Sequence, residues 1–299
     1  MKIRVKNIDG YFIDYIQSVV LKSLFYVIML IPFRIRLKIF GTIMSKIIAP
    51  SAGYDQRIRE NLQLVMPNLS PKTIKSLMQE VPKSVGHTLI EIFSGNDFKK
   101  RAKKARITGG GLKELENAIS RKQGVILVSG HLGNYDVPRA VLSELGYNVG
   151  ALYKPFKNPF FNAYYHQKIS EISEPVISST DRNSLGQMVK LLKSGGMIGM
   201  LIDVQKASAP RLTFFGKPAT TATSAAKLAL KYNLALVPTY GIRLDDDGNF
   251  ELIIEHPIPH STPELMTQKI NDSLERRARD HMEQYFWIHR RWKYKVKRP

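Results

Sequence analysis

Six short apolar runs, each followed by a stretch of helical or turn character, fill the chain beyond Ile107 and leave it few folds to choose from. They are VILVS (125–129), VGALY (149–153), PVISS (175–179), MIGMLID (197–203), LALVPTY (234–240) and FELIIE (250–255). Helical spacing separates them near 134–145, 159–172, 183–194 and 222–232, with a longer helix near 263–285. Strands of this length, apolar on both faces and alternating with helices, predict an α/β domain with a mixed, mostly parallel sheet flanked by helices. Gly109–Gly111 predicts a turn ahead of a helix, and Asp245 to Asp247 a turn rather than a calcium loop, because the remaining ligand positions are missing.

The first 50 residues differ. Tyr15 to Phe33 carries a single charge, Lys22, and borders on the roughly 20 apolar residues needed to cross a bilayer. Cations flank it on both sides, at Lys2, Arg4 and Lys6 and at Arg34, Arg36 and Lys38. Residues 1–50 therefore read as a helical, hydrophobic and basic membrane-associating segment, spanning or lying in the interface, ahead of a catalytic unit at 51–299. Residues 54–106 read as amphipathic helices that end in six cations within KKRAKKAR (99–106). Lys and Arg number 45 against 25 Asp and Glu, and a net charge of +20 calls for an anionic partner. The chain has no cysteine, which removes thiolate nucleophiles, thiolate metal sites and disulfides. No zinc finger, RNP or helix-turn-helix pattern points to nucleic acid, and the histidines show no metal-ligand spacing. No metal or cofactor is expected.

The stretch GVILVSGHLGNYD (124–136) carries the chemistry. The carboxyl end of a parallel-type strand is where α/β proteins place their sites. There a glycine-rich lip presents His131 five residues ahead of Asp136. A carboxylate on one ring nitrogen would fix the tautomer and leave the other nitrogen to take a proton from a hydroxyl. The lip has no G-x-S-x-G elbow, so a direct displacement without a covalent intermediate is expected. The same pair could also serve as a structural contact on a non-enzymatic basic module that binds membrane or nucleic acid.

GHLGNYD resembles the His-x4-Asp/Glu signature of glycerolipid acyltransferases, in the form found in the late acyltransferases of lipid A biosynthesis. Further blocks resemble that family in order: RIRENLQLVMPNLS (57–70), LYKPFKNPFFNAYYHQ (152–167), STDRNSLGQMVKLLKSGGMIGMLID (179–203), FFGKPATTATSAAKLALKYNLALVP (214–238) and QYFWIHRRWK (284–293). The resemblance covers roughly residues 10–295. It implies His131 as general base with Asp136 as its partner, and Gly133, Asn134, Lys154, Arg182 and Asp203 as substrate-binding residues. Lys154 stands where many members carry Arg, which keeps the charge but loses the bidentate fork.

The resemblance further implies transfer of an acyl group from an acyl carrier protein thioester to a hydroxyl of an anionic lipid A precursor. The setting would be the bacterial inner membrane with its phospholipid, with the site on the cytoplasmic side. Another glycolipid or a glycerophospholipid is the alternative acceptor. Backbone N–H groups of Gly130 to Gly133, or the cations Lys154 and Arg182, are candidates to meet the oxyanion. PFFNAYY (159–165) is expected mainly as core, or else as lining for an acyl chain. His289 is expected to be structural, and the terminal RRWKYKVKRP to be a membrane-surface anchor or a loose basic tail.

Overall fold

The computed structural model describes residues 8–245 and 247–292. Helices come first: α1 (Ile8–Met29), α2 (Phe33–Ile43), a π-helical turn at Met44–Ile48, the single turn α3 (Ala49–Ser51), α4 (Tyr54–Val65), α5 (Pro71–Phe93) and α6 (Asn96–Ala102). The alternating part follows with β1 (Arg106–Thr108), α7 (Leu112–Ser120), β2 (Val125–Ser129), α8 (Val137–Glu144), β3 (Val149–Tyr153), α9 (Pro159–Ile172), β4 (Val176–Ser178), α10 (Ser184–Lys193) and β5 (Met197–Leu201). A small hairpin of β6 (Arg211–Phe214) and β7 (Lys217–Thr220) leads to α11 (Ser224–Tyr232), β8 (Ala235–Arg243), β9 (Phe250–Ile254) and α12 (Pro263–Asp280).

Seven strands form one sheet in the order β1-β9-β8-β2-β5-β3-β4. β2 lies at its centre, parallel to both β5 and β8. Only the β8–β9 pairing is antiparallel, so the sheet is mixed and mostly parallel, as the alternation predicts. Because successive strand residues face opposite sides, β2 feeds two cores at once. Val125 and Leu127 pack with Leu115 of α7 and with Val137 and Val141 of α8. Ile126 and Val128 pack with Leu192 of α10, Ala226 of α11 and Ile270 of α12. A third cluster joins Ile58 and Leu62 of α4 and Val81 of α5 to Phe214, Tyr285, Trp287 and Trp292. It fastens the early helices to the chain's C-terminal block.

Helix starts follow their side chains. Ser70 caps α5 by accepting from the Thr73 N–H at 3.1 Å, and Asn158 caps α9 by accepting from Phe161 N–H at 3.0 Å. Each is followed at once by proline, which has no N–H to lose at that position. The turn at Gly109–Gly111 does precede a helix, α7. At the other expected turn, Asp245 Oδ1 accepts from the N–H groups of Asp247 and Asn249, while Asp246 lies outside the described residues.

Three strands escape the sequence pattern. β1 is three residues long, and β6 and β7 are four each, too short for a periodicity to declare itself. The basic run 99–106 is also less free than its charge suggests. Lys99 and Lys103 pair with Glu144, Arg106 pairs with Glu251, and the Arg101 guanidinium sits 4.1 Å from the centre of the Phe33 ring. Of the C-terminal basic segment, residues 293–299 lie outside the described residues.

Candidate active site

The sheet itself builds the site. β2 and β5 run parallel, with Ser129 opposite Leu201. Two residues further along each strand stand His131 and Asp203, so the register that pairs the strands also brings these side chains together. The contact is double: Asp203 Oδ2 accepts from the His131 backbone N–H at 2.8 Å, and Oδ1 lies 2.8 Å from ring Nδ1. With Nδ1 held by a carboxylate, the neutral ring carries its proton there and keeps Nε2 as the basic nitrogen.

Asp203 is 1% exposed. Burial alone would push its carboxyl upward. The charge of His131 and its ring hydrogen bond, then the charge of His289 and the His131 backbone hydrogen bond, outweigh that and hold the carboxyl well below the usual carboxylate range. A permanent anion therefore backs the imidazole.

The hydrogen-bonded pair expected between His131 and Asp136 is not formed. Asp136 Oδ1 instead accepts from Arg139 Nε at 2.9 Å, one turn into α8. Arg139 is buried and spends Nη1 on the carbonyls of Ile169 and Ser173, both at 2.9 Å. The reason lies in the four residues between the two positions. Leu132 bridges to Tyr285, and Gly133 bridges to Gly241. Gly133 adopts φ +57, and a Cβ there would meet the Gly241 carbonyl at 2.1 Å, so only glycine fits this crossing. The chain turns there and carries Asp136 to the start of α8, while the Tyr135 ring remains 5.3 Å from that of His131, edge to face.

The other expected substrate-binding residues separate into two groups. Asn134 is fully buried and spent inside the protein: Nδ2 donates to Glu91 Oε2 at 2.8 Å, and Oδ1 accepts from the Asp136 N–H at 2.9 Å. Glu91 in turn forms a buried ion pair with Arg243, which also reaches Ser84 and Thr88 of α5. Asn134 and Gly133 thus lock the lip to α5 and β8. Lys154 is exposed at the rim of a cavity of about 250 Å³ that Tyr135, Asp136, Tyr153 and Tyr165 also line. Arg182 is exposed on the turn before α10 and lines none of the described cavities that include His131 or Asp136. Of PFFNAYY, Tyr165 lines this cavity, whereas Phe161 and Tyr164 belong to an aromatic cluster with Phe25 and Phe93.

His131 opens onto a second cavity of about 310 Å³, lined by Met44, Val85, Leu89, Tyr135, Phe286 and His289 among others. Four consecutive backbone donors of the lip are already used. The N–H groups of Leu132, Gly133 and Asn134 go to the carbonyls of Gly130, Gln284 and Gly241. With the His131 N–H on Asp203, the backbone from His131 to Asn134 has no donor left for an oxyanion.

Sequence reasoning gave too little weight to the C-terminal block. The Phe286 N–H donates to the His131 carbonyl at 2.9 Å, and the Tyr285 ring is buried beside Asp203. The ring of His289 stands 4.8 Å from that of His131, edge to face. Burial, and then the charge of His131, push His289 down to about 4, so it stays neutral at neutral pH. Its proximity to His131 had one sequence signal, the aromatic-rich QYFWIHRRW run, and nothing in spacing could connect that run to a residue over 150 positions away.

Residues 7–294 match the family model described as bacterial lipid A biosynthesis acyltransferase. The chain belongs to that family. Among its relatives, a lipid A biosynthesis acyltransferase of Haemophilus influenzae is 24% identical over 247 residues, covering 79% of this chain and 76% of the relative. The lipid A biosynthesis lauroyltransferase of Escherichia coli is 25% identical over 244 residues, covering 79% and 78%. The palmitoleoyltransferase of the same organism is 24% identical over 240 residues, covering 79% and 77%. This lipid A biosynthesis acyltransferase is accordingly an O-acyltransferase, and the glycine-rich lip with its buried carboxylate is the candidate place for that chemistry.

Proposed function

We propose that this acyltransferase moves a fatty acyl chain from an acyl carrier protein thioester to a hydroxyl of a lipid A precursor, on the cytoplasmic side of the bacterial inner membrane. The observation that carries the mechanism is His131 clamped by Asp203 at a cavity mouth. Asp203 holds the ring and stabilises its protonated form. Nε2 takes the proton of the acceptor hydroxyl as that oxygen attacks the thioester carbonyl. The tetrahedral oxyanion collapses, the C–S bond breaks, and the departing thiolate receives the proton from the imidazolium. With the N–H groups from His131 to Asn134 engaged, a donor outside that stretch meets the oxyanion. Asp136 has a positioning role in this scheme, holding α8 and the lip through Arg139.

The excess of cations suits both partners, an acidic carrier protein and an anionic saccharide lipid. No metal or cofactor enters the scheme. The test is transfer by purified protein in detergent, with a panel of acyl carrier protein thioesters, a lipid A precursor with and without Kdo, and mass spectrometry of the product. A precursor heavier by one acyl group is expected. His131→Ala should slow its formation about 10²–10⁴-fold without unfolding the protein. Acylation of a glycerophospholipid or another glycolipid in preference to the precursor would overturn the proposed acceptor. An unchanged rate in His131→Ala would overturn the proposed base.

A further inference from the structure

The geometry points to α1 lying in the plane of the membrane surface rather than crossing the bilayer, with α2 and the π-helical turn extending the same lipid-facing surface to the mouth of the His131 cavity. The inference rests on the membrane location proposed above.

By composition α1 is long and apolar enough to span. Its packing argues otherwise. One narrow stripe faces the protein, at Asp14, Ser18, Phe25 and Met29, a helical spacing. Apart from exposed Gln17 and Ser23 and half-buried Lys22, the rest of the surface is apolar and exposed, from Tyr11 through Val19 and Val20 to Val27 and Leu30. The stripe is held along its length. Asn158, the cap of α9, donates to the Asp14 carbonyl at 2.7 Å. Phe25 stacks on Phe93 at 4.2 Å between ring centres, and Met29 Sδ accepts from Arg36 Nη1 at 2.7 Å.

From Asp14 to Met29 the helix rises about 22 Å at roughly 1.5 Å per residue, most of a hydrocarbon core of about 30 Å. Charged groups flank that length on the protein side. Lys168, paired with Glu171, sits against Tyr164 in the Phe25 cluster, and the Arg36–Asp97 pair lies at the Met29 end. A perpendicular α1 would carry these groups toward hydrocarbon depth, where charged groups are strongly disfavoured. A helix lying flat sinks only its exposed apolar side and leaves them in water or among headgroups.

The surface continues beyond α1. Ile35, Ile39, Ile43 and Ile47 are exposed at intervals of four on α2 and the π-helical turn, with exposed Lys38 and Lys46 beside them. Apolar stripes edged with lysines suit an anionic phospholipid surface. Met44 of the same turn and half-exposed Leu89 of α5 line the His131 cavity. A lipid acceptor can therefore reach His131 from the membrane surface without crossing open water.

The native chain has no cysteine, so single-cysteine variants report one position each. Ile13→Cys, Val20→Cys, Val27→Cys and Ile43→Cys, the first three on one exposed face of α1, labelled with a fluorophore, are bound as full-length protein to vesicles of phosphatidylethanolamine and phosphatidylglycerol carrying shallow or deep quenchers. The in-plane arrangement predicts the same shallow depth at all four positions, about 5–10 Å below the headgroups. Val20 far deeper than Ile13 and Val27, or Ile13 quenched only from the far leaflet, would mean a span and overturn the inference. Failure to bind vesicles, or protection of these positions by self-association instead of lipid, would also overturn it. Acyl transfer in detergent, assayed on the same variants, shows that they are folded and keeps this outcome separate from the reading of the chemistry.

Discussion

Asp203 and Asp136 both stand at the carboxyl end of the central strands, within reach of the same lip, and their surroundings set them to different work. Asp203 answers a ring nitrogen and a backbone N–H, and the charges that hold its carboxyl down belong to His131 and His289, both facing the His131 cavity. Asp136 answers a buried guanidinium whose Nη1 is spent on the carbonyls closing α9. In the proposed mechanism, one carboxylate tunes a base that can release and accept a proton. The other fixes where a helix begins. Identity and spacing do not tell them apart; the partner does.

That contrast is open to direct attack, and the largest effect should come from Asp203→Asn. The amide cannot accept from both the ring and the backbone N–H without turning its own NH2 toward one of them. The favoured tautomer and the support for the imidazolium are then lost. Transfer is expected to fall by up to roughly 10⁴-fold with the thermal midpoint measured alongside. A variant that keeps near-native turnover would remove Asp203 from the mechanism. Asp136→Asn should show the opposite profile. Breaking a buried ion pair and leaving Arg139 without its counter-charge should cost about 3–5 kcal/mol of stability, read by denaturant unfolding. At low temperature the folded fraction should keep most of its turnover. A large loss of turnover in stable Asp136→Asn would restore that residue to direct partnership with His131.

A third prediction uses pH. His289 is held near 4 when folded, below the ordinary imidazole value of about 6.5. The unfolded chain therefore binds a proton that the folded chain refuses, and His289 destabilises the fold increasingly as pH falls from about 6.5 to about 4. Asp203, depressed below the ordinary value of about 3.9, contributes stability that is present above that value and is lost only in stronger acid. His289→Gln should flatten the melting temperature between about pH 6.5 and pH 4. An unaltered slope would mean that other groups supply it. The smallest effects are expected at the exposed cations. Lys154→Ala and Arg182→Ala should raise KM for the acyl carrier protein thioester a few-fold and in a salt-dependent way, with little change in kcat. A kcat loss at either one, insensitive to salt, would place that residue at the reacting atoms.

How much of this was legible beforehand depended on how far apart the cooperating residues lie. Strands 125–129 and 149–153 and the helix 159–172 appear at their expected bounds, because each carries its own pattern in a run long enough to read. β1, β6 and β7 do not, since their three or four residues mix polar and apolar side chains and lack the apolar run that marks the equally short β4. The site follows the same rule. His131 was visible because glycines mark the lip around it, and Asp203 was visible through the family resemblance of the block 179–203. Their contact was not, nor was the arrival of Tyr285, Phe286 and His289 beside them.

The sequence by itself determined the α/β alternation, the apolar character of α1, the surplus of positive charge and the presence of an imidazole at a strand end. These are local properties, set by the order of side chains along a few turns or a few pleats. Tertiary structure alone decided which carboxylate serves that imidazole, which backbone donors remain free, and on what the apolar helix leans. Each is a pairing between segments distant in the chain. The register of β2 on β5 put Asp203 opposite His131, while the turn of the chain at Gly133 carried the nearer acid, Asp136, to Arg139.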